Sequence, residues 1–137
     1  TNLALMEQSI TDITQTNFLK VSPDETVVKT IELLKKEQQT EAFCVAEDGT
    51  YVGKLFLPQL LEVKSNTKAS LSVTSTDTTI PANSSMFQAM EIASGFVGEA
   101  MAVVDKKNDV IVGVVTEADI FSIYLEAQSD VHKVEHG

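Results

Sequence analysis

The chain repeats itself, and that repeat limits what it can fold into more than any other feature. Glu41-Ala42-Phe43-Cys44-Val45-Ala46-Glu47 aligns with Glu99-Ala100-Met101-Ala102-Val103-Val104-Asp105. Downstream, Tyr51-Val52-Gly53-Lys54-Leu55 aligns with Ile111-Val112-Gly113-Val114-Val115. Upstream, Pro23 through Leu34 matches Pro81 through Ile92 once a single-residue insertion is allowed. Two copies of one pattern therefore run over residues 9–63 and 70–127, after a lead-in at 1–8 and before an acidic tail at 128–137. Residues 64–75, which include the start of the second repeat, are rich in Ser and Thr and read as a linker.

Within each copy the elements come in the same order. A short extended piece (Asn17 to Val21; Thr78 to Ile80) leads to Pro23 or Pro81. An amphipathic helix follows, with Val27, Ile31 and Leu34 on one face of the first and Met86, Met90 and Ala93 on the matching face of the second. Ser22 with Glu25, or Thr26, can cap the first helix; Thr26 is preferred because the second copy offers Ser84 and Ser85 in the same region. Two strands come next, Ala42–Ala46 with Tyr51–Leu55 around a turn-rich loop, and Met101–Val104 with Val110–Val115 around Lys106 to Asp109. A closing helix ends each copy. The expected fold class is thus α+β, two β-α-β-β-α repeats, each too small to bury both sheet faces alone, so the halves are expected to pack on each other.

Charge narrows the partners. The 137 residues carry 20 acidic and 10 basic side chains, a net charge of −10, and every basic residue is lysine. Nucleic acid and anionic membrane both need clustered positive charge, so neither is expected. The lack of arginine also removes the usual bidentate phosphate clamp. One cysteine, Cys44, sits in an apolar run and reads as a small buried hydrophobe. No stretch reaches the length of a membrane span or resembles a signal peptide, and a chain beginning at Thr1 is expected to be a piece of a longer protein.

The stretch with the most chemistry is Val110-Ile111-Val112-Gly113-Val114-Val115-Thr116-Glu117-Ala118-Asp119. A strand runs through a glycine into a helix start, with Thr116 at the cap and Asp119 one turn in. Free backbone amides at such a terminus suit an anion, and the carboxylate can accept hydrogen bonds from sugar hydroxyls. Capping alone also accounts for both residues.

Repeated in order, a glycine–aliphatic–aliphatic–Thr–x–x–Asp turn closing each copy resembles a tandem pair of cystathionine-β-synthase (CBS) domains, from about Ser9 to about Gln128. The resemblance implies a pseudo-twofold disc of two repeats, a homodimer through a second pair, and clefts between the copies that bind adenosine ligands. The turn then supplies a hydroxyl (Thr116) to phosphate and a carboxylate (Asp119) to ribose, with apolar contact from Val115. The base falls to the other copy's edge, implying Thr16, Thr40 and the backbone of Ala42 and Phe43. The first copy departs from the pattern: Phe56 replaces the hydroxyl and Gln59 the carboxylate, in Gly53-Lys54-Leu55-Phe56-Leu57-Pro58-Gln59. Pro58 fits a first helical turn, so the fold survives while the ribose clamp is lost.

With Glu117 beside the cap, Glu41 near the base and no arginine, adenosine or AMP is favoured over ATP. The tail from Asp119 to Gln128 resembles the C-terminus of prokaryotic ClC-type chloride channels and transporters that carry a CBS pair. That implies a cytoplasmic regulatory domain of a membrane transporter, no enzyme, and no resident cofactor beyond the nucleotide ligand. A ligand-free dimerisation module and a stand-alone sensor are the rival readings. His132 and His136 flank Glu135 at helical spacing, but a frayed acidic tail is the simpler account, and no metal is expected. No nucleophile or carboxylate pair stands near either histidine, so catalysis gains no support. Met86, Phe87 and Met90 read as packing residues.

Overall fold

A computed structural model of the chain describes residues 2–63, 66–74, 77–96 and 99–136, with side chains described from residue 3 to residue 129. Among them, no helix is long and apolar enough to cross a membrane. The elements run α1 (Asn2–Glu7), β1 (Lys20–Val21), α2 (Val27–Glu37), β2 (Glu41–Val45), β3 (Tyr51–Phe56), α3 (Leu57–Leu60), β4 (Thr79–Pro81), α4 (Met86–Ala93), β5 (Met101–Asp105), β6 (Val110–Val115) and α5 (Glu117–His136). They form two three-stranded sheets, ordered β1-β2-β3 and β4-β5-β6. The edge strands β1 and β4 are shorter or shifted against expectation, since only Lys20–Val21 and Thr79–Pro81 find parallel partners on β2 and β5.

The contacts divide the chain into two compact units, and the division is not the one the repeat suggests. One unit holds residues 17–77 with 107–111; the other holds residues 1–16 with 78–106 and 112–137. The lead-in and the start of the first repeat therefore belong to the unit built on the second repeat.

In the unit built on the first repeat, Val27 and Leu34 of α2 are buried with Val21, Ala42, Cys44, Leu55 and Leu60, and Ile31 packs at the margin. Thr26 caps α2 by accepting from the Lys29 amide at 3.3 Å, as the spacing predicts. Ser22 instead accepts from the Asp24 amide, and Glu25 from Thr26, so the earlier register is not the cap. In the unit built on the second repeat, Ser85 caps α4 in a full capping box with Gln88. Met86, Ala89 and Ala93 turn inward onto Ile80, Met101, Val103, Val115 and Ile120, with Met90 at the margin and Phe87 exposed.

Each unit is tied by a strap from the segment that precedes the other copy. Residues 66–74, a linker by composition, include a 3-10 turn at Ala69–Ser72 whose Ala69 is fully buried. The Val27 amide donates to Thr67 (2.9 Å), Ala69 to Glu25 (2.7 Å) and Thr74 to Lys54 (3.0 Å). The same stitches recur in the other unit: Met86 to Gln8 (2.8 Å), Ile10 to Ser84 (2.9 Å) and a reciprocal pair between Gln15 and Val114 (2.8 Å each way). The strap carries its own 3-10 turn at Ile10–Asp12, capped by Ser9, with Ile10 fully buried. Polar sequence hides these straps because most of their bonding is main-chain, to which side-chain hydropathy is blind.

Candidate functional site

Thr116 and Asp119 stand where the sequence places them, at the junction of β6 and α5. Thr116 Oγ1 accepts from the Asp119 amide at 3.0 Å, satisfying one of the open donors of the first turn. Asp119 lies half-buried, with Glu117 exposed beside it on the same first turn. Val115, the last strand residue, is fully buried in the core and holds the turn down.

One residue the sequence reading missed completes this corner. Gln15, from the strap, donates through Nε2 to Asp119 Oδ2 at 2.9 Å. Gly113 makes the approach possible: a Cβ there would lie 2.4 Å from the Gln15 carbonyl oxygen and 2.5 Å from Thr14 Cγ2. The conspicuous glycine is thus a docking point for the strap.

The other expected residues divide between the units. Thr16, exposed, falls in the same unit as Thr116 and Asp119, whereas Thr40, Ala42 and Phe43 belong to the unit of the first repeat. There the Phe43 amide already donates to Leu19 at 2.9 Å, and the Thr40 carbonyl accepts from Leu57 at 2.9 Å. Of the two backbone groups expected at a base edge on β2, the Phe43 N–H is therefore engaged in the sheet. Lys106, one of the lysines nearest in sequence, donates to Thr79 at 2.8 Å.

The matching corner of the first repeat has been rebuilt. Phe56 stands at the start of α3 and makes no side-chain cap, with Pro58 in the first turn. Gln59 takes the acid's place and accepts from Thr74 Oγ1 at 3.4 Å, so the strap again reaches this position, now between neutral groups. Lys54, where the second copy has Val114, is wholly buried with Nζ 3.5 Å from Glu41 and within 5.5 Å of the Phe43 and Phe56 ring centres. Tyr51 donates its hydroxyl to Asp77, and burial with that carboxylate drives the phenol's pKa up.

A groove of about 580 Å³ opens between α4 and α5, floored by Met90, Ala93, Ile120, Phe121 and Tyr124, with Glu91 and Glu117 among its polar lining. No group of three or more metal-ligating side chains occurs among the described residues; His132 and His136 lie outside the described side chains. Cys44 is buried as expected, and desolvation pushes its thiol up to about 11.

Known proteins agree with this architecture. No curated protein sequence matches the chain. A CBS-pair structure of a putative Mg2+ transporter from Shewanella oneidensis superposes with a TM-score of 0.77 at 19% identity, over 88% of this chain and 71% of that one. CbpB in complex with c-di-AMP superposes at 0.81 and 11% identity, over 96% and 93%. CBSX2 in complex with AMP gives 0.71 and 17%, over 88% and 98%. At these identities the likeness is one of fold. The CBS domain profile, however, matches the sequence itself twice, over residues 10–63 and 70–126, and the chain belongs to the CBS domain family as a tandem pair.

Proposed function

We propose that this chain is a regulatory module, not an enzyme, that binds an adenosine nucleotide at the corner formed by Thr116 and Asp119. The observation that carries the reading is the contrast between the two corners. One keeps a hydroxyl at a helix start and a half-buried carboxylate one turn on, while the other has lost both. A carboxylate there accepts from a vicinal diol, and the open amides of α5 favour a single phosphate. The net charge of −10, the absence of arginine and the engagement of Lys106 favour AMP or adenosine over ATP. Fold relatives solved with AMP and c-di-AMP support the ligand class.

Binding acts by population shift, limited by the ligand's differential affinity for the arrangements it selects. The recipient in this proposal is a membrane transporter on whose cytoplasmic side the pair sits. The likeness to a transporter's CBS pair supports this, and the Asp119 to Gln128 segment points to the ClC type. The sequence of the full gene tests the parent. The same proposal includes a homodimer that covers Phe87, Phe121 and Leu125, which are 51–55% exposed. Phe121→Glu then yields monomer by light scattering.

Calorimetry with AMP, ADP, ATP, c-di-AMP and S-adenosylmethionine tests the ligand. AMP is expected to bind below millimolar, and Asp119→Ala to abolish the heat; binding by none of the five overturns the reading. The ligand-free dimerisation module is the second reading, favoured by the internal partners that Thr116 and Asp119 already have.

A further inference from the structure

We propose that the Gln15 carboxamide is a built-in occupant of the sugar position on Asp119, and that a nucleotide enters by exchanging with it. The inference rests on the reading of Asp119 as the ribose acid and adds how that acid is kept when no ligand is bound. Gln15 Nε2 lies 2.9 Å from Asp119 Oδ2, a donor on the acceptor that a ribose hydroxyl would use. The contact spans 104 positions of sequence, so it is made by the strap and not by local geometry. The strap fixes its origin: the Gln15 main chain exchanges two hydrogen bonds with Val114, seated over Gly113.

Gln15 is exposed, so its release costs only the net worth of one hydrogen bond, because water replaces the lost carboxylate. A vicinal diol uses both carboxylate oxygens, and Gln15 holds one of them. The hydroxyl that takes Oδ2 therefore gains only the difference between its own bond and the amide's. In the first repeat the strap makes the corresponding contact between the neutral pair Thr74 and Gln59. The strap-borne donor is thus a feature of both corners, with a charge to guard in one.

The test measures AMP and 2′-deoxy-AMP affinity by calorimetry for the unmodified chain, Gln15→Ala and Asp119→Ala. The Gln15 side-chain amide signals are followed by NMR as AMP is added. Gln15→Ala keeps every main-chain bond of the strap and is expected to melt like the unmodified chain. It should bind AMP about three- to tenfold tighter, the worth of one released hydrogen bond. Its preference for AMP over the deoxy form should widen, because both oxygens are then open to the diol. In the unmodified chain the Gln15 amide signals should shift as AMP binds. If Gln15→Ala binds AMP equally or more weakly while Asp119→Ala abolishes binding, the exchange is wrong and the ribose acid stands. If Asp119→Ala binds AMP like the unmodified chain, the acid's role fails and this inference goes with it.

Discussion

The two strand-to-helix corners began as one pattern and solve opposite problems. In the second repeat a threonine, a carboxylate and a strap glutamine leave an open polar corner in contact with solvent. In the first, a phenylalanine, a neutral glutamine and a buried lysine–glutamate pair among aromatic rings close the corner from within. The backbone stitches recur at matching positions, so the scaffold does not need the polar kit. The difference shows that the stitches do not depend on the polar kit of the second repeat, because its absence from the first leaves them in place.

The sharpest way to break this comparison is to unpair the closed corner. Glu41→Ala leaves the wholly buried Lys54 without its carboxylate and should cost about 3–5 kcal/mol in urea unfolding. Replacing both members, Glu41→Ala with Lys54→Met, should recover most of that, since a well-packed apolar substitute offsets a buried pair. If the single variant is as stable as the parent, the closed corner is not held by charge.

The next effect separates the corners by ligand. Asp119→Ala should weaken AMP at least tenfold, the scale of a charge-assisted hydrogen bond, while Gln59→Ala leaves affinity unchanged. Equal losses in both variants would erase the distinction. Smaller again is the cap: Thr116→Ala removes the acceptor for the Asp119 amide and should cost about 1 kcal/mol in thermal unfolding. Phe56→Ala removes no cap bond, so any loss there comes from packing.

The smallest effect is a slope with pH. Burial raises the Cys44 thiol from 9.0 to about 11, whereas the second repeat has Ala102 at this position. The unfolded thiol ionises first, so the folded chain holds a proton that the unfolded one has lost between those values. Stability from this source is complete below pH 9 and declines as pH rises toward 11. Cys44→Ala should flatten that alkaline decline, measured by urea unfolding at pH 8, 9 and 10.

Much of this molecule can be read from its letters, and the parts that cannot share a cause. The repeat, the Thr26 cap and the inward faces of α2 and α4 all follow from periodic side chains and local hydrogen bonds. The loss of the hydroxyl and the acid from the first corner was visible in Phe56 and Gln59. Gln15 and the burial of Lys54 were not, because both depend on partners outside any local window. Gly113 carried a signal of close approach, but its partner lies 98 positions upstream at Gln15. The linker misled for a related reason: Ala69 and Val73 are too few to register as a hydrophobic pattern, yet one is fully buried and the other packs beside Gly53.

The strap on the second repeat has a consequence for how the chain is made. Ile10 and Gln15 are synthesised well before their partners Ser84 and Val114. The strap must therefore wait, bonded only to water, while the first repeat assembles without it. Loop closure over that span is slow to be rewarded, so folding of the second half should be the late step. Removing residues 8–15 would then harm the second repeat before the first.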